Sequence, residues 1–431
     1  MAAPKLRFKE FDGDWLKVDI QSLVDEKIID KPMDGNHGEI HPTSADYVED
    51  GIPFVMATDV IDGKVYLDKS KKIKKSQADG LRKGFSIEGD ILLTHKATIG
   101  NVAKVPELET PYIMLTPQVT YYRILDQEKL LADFMKSNFE SVTFQNELIA
   151  LCTGATRLYI GISEQRKLPF SYPSKPEQTK IASFLSNVDE KISQLTQKHV
   201  LLSQYKQGMM QKLFSQQVRF KADDGSEFGE WEKVKFSDIF KFHQTNSFSR
   251  ALLAEYGEIM NIHYGDIHTK FSMLFDVNKE SVPFLNDEVD TSKIAKEQFL
   301  KVGDLVIADA SEDYKDIGKS IEVISLNNQK VVAGLHTYIA RPVKPFALGF
   351  CGYMMRTFPV REQIKKLATG ISVLGISKTN LGKVELKVPS LEEQTKIANF
   401  LSAIDQKIEV VAQQIEQAKT WKKGLLQQMF V

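Results

Sequence analysis

The sequence is poor in cysteine and in long apolar runs. Two cysteines, Cys152 and Cys351, lie far apart in a chain of 431 residues, so they form neither a metal motif nor a disulfide framework. No stretch of about 18 apolar residues occurs, and the N-terminal segment has no apolar core of a secretory signal. These absences favour a protein of the reducing cytoplasm.

An excess of positive charge is also missing. The formal net charge is −1, with 42% apolar and 26% charged residues, which is typical of a globular protein. A protein that holds nucleic acid alone by neutralising phosphates is usually basic. The charge balance therefore counts against an independent DNA binder, but it is compatible with a subunit whose partners supply further phosphate contacts.

Catalytic motifs are absent as well. The chain has no NPPF-like or DPPY-like methylation motif, no G-x-G-x-x-G, no G-x-S-x-G and no H-E-x-x-H. Residues 311–320 end like a P-loop, but Asp313 occupies the position of the first glycine, so backbone amides could not wrap a phosphate there. His263 and His268 match no strong metal-binding spacing. An autonomous enzyme is therefore disfavoured, and no metal site is expected.

What the sequence does contain is an internal repeat. PSKPEQTKIASFLSNVDEKI (173–192) recurs as PSLEEQTKIANFLSAIDQKI (389–408), a shift of 216 residues. The same shift carries Trp15 onto Trp231 and Thr153-Gly154 onto Thr369-Gly370. The middles of the two copies, residues 16–172 and 232–388, diverge, although GDILLT (89–94) is similar to GDLVIA (303–308). Similar ends around unlike middles predict one frame that carries two different recognition surfaces.

The repeated ends predict two coiled-coil helices. Apolar residues recur in both copies at alternating spacings of four and three. The first seam comprises Ile181, Leu185, Val188, Ile192, Leu195, Leu202, Met209 and Leu213, completed by His199 and Lys206. The second comprises Ile397, Leu401, Ile404, Ile408, Val411, Ile415, Ala418, Lys422, Leu425 and Met429. The alternative is two amphipathic helices buried against their own domains, but the strict heptad spacing favours a helix partner.

The two seam lysines indicate the direction of the pair. A parallel pair would bring Lys206 and Lys422 face to face in a low-dielectric seam. An antiparallel pair instead places Lys206 near Ile404 and Lys422 near Val188, where each lysine can extend its charge to water. We therefore predict antiparallel helices in which leucine would be tolerated at either lysine. Residues 181–213 would span about 50 Å.

The two middles have mixed strand and helix patterns. Both predicted helices precede a Thr-Gly pair and a short polar loop, and Ser163 and Ser377 are predicted to cap the short helices that follow. The fold class predicted is α+β. The strand candidates are 51–60, 89–97, 303–310 and 331–342, and the helix candidates are 130–151 and 350–368, the second broken near Pro359.

These features closely resemble the specificity subunits of type I restriction–modification enzymes. The resemblance covers the whole chain and rests on a tract like LRF-x(2)-F-x-G-x-W, the GDILLT or GDLVIA segment, the TG loop and the doubled EQTKIA helix. It implies two pseudo-repeated α/β target recognition domains (residues 1–172 and 219–388) separated by two long helices (173–218 and 389–431) that form an antiparallel coiled coil. Each domain would read one half of a split DNA target.

The resemblance also implies what the partners are. The two helices would set the spacing between the half-targets and dock two methyltransferase subunits, to which motor-nuclease subunits attach. This chain would bind no cofactor, because S-adenosylmethionine, ATP and Mg²⁺ would belong to the partner subunits. The alternative is a non-catalytic bipartite DNA-binding regulator on the same scaffold, which would need a ligand or dimer switch that the sequence does not suggest.

DNA contacts are predicted on two kinds of segment. A basic stretch in the first domain, from Lys64 to Lys83, could face phosphates, or it could be a solvated surface; the candidate contacts within it are Lys71, Lys72, Lys74 and Lys75. Exposed loops with polar side chains could read base edges, although a structural role for each side chain stays open. The candidate readers are His95, Lys96, Thr98, Thr156 and Arg157 in the first domain and Ser311, Tyr314, Lys315 and Ser372 in the second.

Overall fold

The computed structural model describes residues 3–38, 41–154 and 158–431. By its internal contacts the chain divides into unit 1, Met1–Gln197 with Ala412–Val431, and unit 2, Lys198–Val411. Each unit therefore combines most of one repeat with a part of both long helices. The boundaries predicted above for the recognition domains follow the repeat rather than these contacts, and they stay a prediction.

Unit 1 is built on an antiparallel sheet and a mixed sheet. A four-stranded sheet has the order β10-β9-β12-β2, and a five-stranded sheet has the order β3-β7-β4-β11-β8. The strands are β1 Leu16–Asp19, β2 Met33–Asp34, β3 Tyr47–Val48, β4 Ile52–Val55, β5 Val60–Ile61, β6 Lys64–Val65, β7 Lys71–Ile73, β8 Phe85–Ser86, β9 Ile91–Lys96, β10 Thr98–Lys104, β11 Ile113–Leu115, β12 Val119–Tyr122 and β13 Pro169–Tyr172. The helices are α1 Ile20–Asp25, α2 Lys75–Asp79, α3 Ala132–Glu140, α4 Val142–Ala150, α5 Ile162–Gln165 and α6 Lys175–Phe214, the last continuing into unit 2.

Unit 2 has the same two-sheet plan. Its five-stranded sheet has the order β15-β24-β20-β22-β18, and its four-stranded sheet has the order β16-β19-β17-β23. The strands are β14 Glu232–Lys235, β15 Phe240–His243, β16 Leu253–Ala254, β17 Ile259–Ile262, β18 Leu274–Asp276, β19 Phe284–Leu285, β20 Leu305–Ala308, β21 Ala310–Ser311, β22 Ser320–Ser325, β23 Lys330–Ala333, β24 Thr337–Pro342, β25 Leu374–Gly375 and β26 Glu385–Val388. The helices are α7 Phe236–Ile239, α8 Tyr264–Thr269, α9 Phe350–Met355, α10 Phe358–Leu367, α11 Lys378–Gly382 and α12 Leu391–Gln428, the last continuing into unit 1. The α+β class is confirmed.

The predicted helices before the TG loops are each broken once. Residues 130–151 form α3 and α4 rather than one helix, because Ser141 caps α4 by accepting the Phe144 amide at 3.2 Å. The break predicted near Pro359 is confirmed at Thr357, which places the proline in the first turn of α10, where a missing N–H costs little. Ser377 caps α11 as predicted, whereas Gly161, not Ser163, precedes α5.

The two long helices pack antiparallel within each unit. In unit 1, Leu185 and Val188 near the start of α6 share a core with Leu425 and Met429 at the end of α12. In unit 2 the relation is reversed, since Leu213 at the end of α6 packs with Leu401 near the start of α12. Every predicted seam position is buried or half-buried. The antiparallel prediction is confirmed.

The seam lysines do not extend their charges to water as predicted. The side chains of Lys422 and Lys206 are only 16% and 21% exposed, and both are ion-paired. Lys422 binds Glu140 and Asp189, each at 2.7 Å, and Lys206 binds Asp405. Asp189 and Asp405 follow the predicted neighbours Val188 and Ile404 in the chain. The predicted register of the two helices is therefore right. The predicted environment of the two lysines is wrong, because the acids that pair with them occupy positions outside the heptad seam.

The EQTKIA motif is a structural clamp. Glu177, which is 1% exposed, accepts two hydrogen bonds from Arg7 at 2.7 Å each and one from Trp15 Nε1 at 3.3 Å. Glu393 repeats this arrangement with Arg219 at 3.0 and 2.8 Å and Trp231 at 3.1 Å. The bidentate geometry satisfies the buried carboxylate. The repeated residues thus tie the start of each domain to the first turn of its long helix.

Candidate DNA interface

The TG pair opens a loop of the same size in both units. Thr153 and Tyr159 exchange two backbone hydrogen bonds of 2.9 Å, and Thr369 and Gly375 exchange two of 2.9 and 2.7 Å. Gly370 has φ +129°, and a Cβ there would lie 2.1 Å from the Val373 carbonyl oxygen. A glycine is therefore required for this closure. The predicted readers Thr156 and Arg157 lie outside the described residues.

Each TG loop lies against the end of the strand that carries the other predicted readers. In unit 1, Lys96 at the end of β9 forms an isolated bridge with Tyr159, and the Ile160 amide donates to the His95 carbonyl at 3.2 Å. In unit 2, β21 pairs antiparallel with β25, so that Ser311 faces Leu374. The fold therefore brings together segments that are distant in the sequence.

Most of the described reader side chains are exposed. Lys96 and Thr98 flank the tight turn between β9 and β10, where Ala97 has φ +71°. Tyr314, Lys315 and Ser372 are exposed at the corresponding edge of unit 2. Hydroxyl groups of this kind can donate to or accept from base edges, and ammonium groups can donate to them. Two loops per unit thus form the candidate interface, which consists of Lys96, Thr98, Tyr314, Lys315, Ser372 and the TG loops.

His95 is not an exposed reader, contrary to prediction. Its ring is 5% exposed, and Nε2 donates to the Pro117 carbonyl at 3.0 Å. Nδ1 then accepts from Gln165 at 2.9 Å and from the Thr120 hydroxyl at 2.6 Å. Burial lowers the pKa of His95, which favours this neutral form. His95 is therefore packed in the interior next to the TG loop and is not an exposed reader.

Ser311 is also buried, so its predicted exposure is wrong. Its hydroxyl donates to the Asp313 carbonyl at 2.9 Å and accepts from the Asp313 amide at 3.1 Å. This arrangement fixes the turn that presents Tyr314 and Lys315. The physical reason is the same as for His95, because both strands are buried on both faces at these positions, β9 from Ile91 to His95 and β21 at Ala310 and Ser311.

The basic stretch of unit 1 is only partly neutralised. Lys71, Lys74 and Lys75 are exposed, whereas Lys72 is half-buried. Lys72 lies 3.7 Å from Asp50, and Lys75 lies 2.6 Å from Asp79. Among the described residues, Lys71 and Lys74 have no acidic partner within salt-bridge distance. A phosphate contact and a solvated face both remain compatible with this arrangement.

The histidines that were weighed as metal ligands serve the backbone. His263 Nδ1 accepts the Gly265 amide at 3.1 Å, and His268 Nε2 lies 2.9 Å from the Ala310 carbonyl. Among the described residues, no group of three or more His, Cys, Asp or Glu side chains has an arrangement suited to a metal. Within the same ranges, none of the helices has the length and hydropathy of a membrane-spanning segment.

One repeated polar contact was not predicted from the sequence. Arg123, after β12, binds Asp90 through two hydrogen bonds of 2.9 and 2.8 Å. Arg341 in β24 binds Asp304 in the same way at 2.8 Å each. The signal was the aspartate in both Gly-Asp pairs, at 89–90 and 303–304. These ion pairs anchor the strands whose ends carry the candidate interface.

Comparison with known proteins agrees with this geometry. The family model of the type I restriction modification DNA specificity domain matches residues 34–202 and 229–420. The chain belongs to this family. It is a DNA sequence-specificity subunit with two recognition domains, and the doubled match corresponds to the repeat of frame and loops described above.

Individual relatives cover nearly the whole specificity subunit. The type I restriction enzyme MjaVIII specificity subunit of Methanocaldococcus jannaschii is 26% identical over 96% of this chain and 89% of its own length. The putative MjaX specificity subunit of the same organism is 26% identical over 87% of this chain and 85% of its own length. The crystal structure of the type I S subunit from M. genitalium superposes with a TM-score of 0.56 at 16% identity, covering 100% and 99% of the two chains. This last likeness concerns the fold.

Proposed function

We propose that this specificity subunit reads each half of a split DNA target with one TG loop and the adjacent strand end, and performs no catalysis itself. The observation that carries the proposal is the repeated closure of the TG loop, Thr153 with Tyr159 and Thr369 with Gly375. The two closed loops carry different side chains between the same backbone closures. Two unlike half-targets require different reading side chains, which two loops of the same backbone closure can carry.

Partners supply the chemistry in this proposal. The frame is duplicated down to the Arg-Glu-Trp clamps on Glu177 and Glu393, which supports two equivalent docking sites for methyltransferase subunits. Motor-nuclease subunits attach through the methyltransferases. S-adenosylmethionine, ATP and Mg²⁺ belong to those partners. The helices α6 and α12 set the distance between the half-targets.

The test is a reconstitution with the intact chain. The purified subunit is incubated with DNA, S-adenosylmethionine, ATP and Mg²⁺, first alone and then with its methyltransferase partner. We expect methylation only with the partner, at split sites, and native mass spectrometry should show two partners per chain. Turnover by the homogeneous subunit would contradict the proposal, and saturation at one partner would contradict the two docking sites.

A further inference from the structure

A recess in unit 2 lies between the end of α6 and the junction of α9 with α10. Its volume is about 650 Å³, which is within the range of small-molecule sites. Four cationic side chains line it, together with apolar side chains from both elements. The cations are Lys315, Arg356, Arg361 and Lys365.

The two arginines of this recess lack an acidic partner. Arg356 donates to the Ser320 carbonyl at 3.1 Å, while its buried Nε has no hydrogen-bond partner. Arg361 donates to the carbonyls of Lys315 and Ile317 at 2.9 and 2.6 Å. Among the described residues, no carboxylate lies within salt-bridge distance of either guanidinium.

Two neighbouring guanidinium groups without an anion are an unfavourable arrangement. Burial, followed by the charge of Arg361, lowers the pKa of Arg356 to about 10. Burial also lowers the pKa of Arg361. The nearby acids Asp313, Asp316 and Glu362 pair with lysines instead, at 3.3, 3.7 and 3.0 Å; the charge of Asp316 opposes the lowering of both arginine pKa values without forming a salt bridge to either. A bound anion would relieve the repulsion between the arginines.

Unit 1 shows that the frame does not need these cations. Ser141 and Thr357 precede equivalent helices at the 216-residue shift. On that register Glu140 stands at the position of Arg356, Gln145 at that of Arg361 and Ile149 at that of Lys365. Glu140 is engaged in ion pairs with Lys136 and Lys422, each at 2.7 Å. The cationic lining of the recess is thus specific to unit 2, and a ligand of this recess would bind once per chain.

The walls of the recess indicate more than a simple ion site. Met210, Phe214 and Pro359 line it, and Phe358 is 75% exposed beside the cations. A large aromatic side chain in this position offers a face on which a flat group can stack. The occupant therefore combines a concentrated negative charge with an apolar, planar body.

We propose that this recess binds a small phosphate monoester with a flat body, of the nucleoside monophosphate class, with its phosphate on Arg356 and Arg361 and its body against Phe358. A monoester brings close to two negative charges at one end, which matches two arginines better than a single carboxylate does. Arginine pairs favour phosphate because their planar donors form bidentate contacts. A DNA phosphodiester carries sugars on both sides and fits a recess of this size less well. The recess shares Lys315 with the candidate interface, but the two arginines that would hold the phosphate lie outside that interface.

The experiment titrates the full chain with three probes by calorimetry: adenosine 5′-monophosphate, inorganic phosphate and adenosine. We expect the monophosphate to bind once per chain, and more tightly than phosphate or adenosine. Arg356→Gln should weaken its binding about tenfold or more through loss of a charged hydrogen bond. Phe358→Ala should weaken the monophosphate but leave phosphate unchanged, and it should fold because the side chain is exposed. Lys366→Gln removes the same charge from an exposed position of α10 outside the recess and should have no effect.

Several results would overturn this site. They include no heat of binding from adenosine monophosphate at about 10 mM, a concentration that detects even very weak complexes, and equal affinity for phosphate and adenosine monophosphate. A third is unchanged affinity in an Arg356→Gln variant that melts like the wild type. If the wild-type chain bound no nucleotide and Phe358→Ala lost affinity for DNA, the recess would be assigned to DNA. If the variant instead lost affinity for an acidic peptide, the recess would be assigned to a protein partner. Methylation mapping with the partner subunit tests the proposed function separately.

Discussion

Lys422 Nζ lies 2.7 Å from Asp189 Oδ1, within a helix seam that is otherwise mostly apolar. Lys136 approaches the same carboxylate at 3.2 Å and Glu140 at 2.7 Å. The four charges alternate and connect α3, α6 and α12 in unit 1. Burial opposes ionisation of Asp189, but the two lysines hold the pKa of this carboxyl below its usual range. The cluster thus stabilises the charged forms of its two lysines and two carboxylates.

Replacing Lys422 with leucine should therefore destabilise the protein, although the sequence alone predicted tolerance. The substitution leaves Glu140 and Asp189 with one lysine for two carboxylates. Because these groups are partly exposed, we expect a loss of about 1–3 kcal/mol in the free energy of unfolding, measured by urea titration. Lys419→Leu, at an exposed position of α12, is the control and should change stability by about 0.5 kcal/mol or less. A Lys422→Leu protein as stable as the wild type would show that the cluster contributes nothing.

The seam itself should tolerate truncation poorly at repeat-equivalent positions. Leu185 and Leu401 are 1% and 0% exposed and belong to the cores of units 1 and 2. Leu185→Ala and Leu401→Ala should each cost about 2–5 kcal/mol, because each leaves a cavity. Urea unfolding would measure both losses, and Val410→Ala at an exposed position of α12 is the control. If either variant unfolded like Val410→Ala, its helix would not depend on the seam at that position.

Glu322 should make unit 2 less stable as the pH rises. Burial raises the pKa of this carboxyl to about 7, although the amides of Gly349 and Gly352 donate to it at 2.7 and 2.6 Å. Between these two pKa values the folded chain holds a proton that the unfolded chain releases. The stability that protonated Glu322 contributes is therefore fully present below the ordinary pKa of 4.5 and is lost as the pH rises to about 7. The loss should reach about 3 kcal/mol.

Glu322→Gln removes this ionisation and isolates its effect. We expect urea unfolding between about pH 5 and pH 8 to show a smaller decrease in stability for the variant than for the wild type. The comparison concerns the slope with pH, since the variant also loses one acceptor for the two glycine amides. Parallel pH profiles for the two proteins would mean that Glu322 does not titrate in this window.

How far the sequence predicts the structure depends on the range of each interaction. The seam from Ile181 to Leu213 was predictable because helical periodicity is local and the repeat showed it twice. The pairing of Arg123 with Asp90 was not, because β12 joins β9 across the sheet order β10-β9-β12-β2. Such long-range pairing leaves no periodic signal in the chain.

The candidate interface was predictable by segment but not by side chain. The TG pair and the end of the GDILLT strand were both selected, and the fold brings them together. His95 and Lys96, however, are neighbours in the sequence and face opposite ways, one buried and one exposed. Alternation along a strand has two possible phases, and the polar run His95 to Thr98 does not distinguish between them.

Substitutions at the candidate interface should change one half-target at a time. Lys96→Ala with Thr98→Ala removes two exposed readers of unit 1, whereas Lys315→Ala with Ser372→Ala removes two exposed readers of unit 2. Each double variant should discriminate less well at one half of the split site, by about 1–3 kcal/mol for each base that is no longer hydrogen-bonded. Methylation sites mapped across a genome with the partner subunit would measure this directly. Lys233→Ala, at an exposed position on β14 away from the loops, is the control and should leave the pattern unchanged. If one double variant altered both half-sites equally, the two TG loops would not be separate readers.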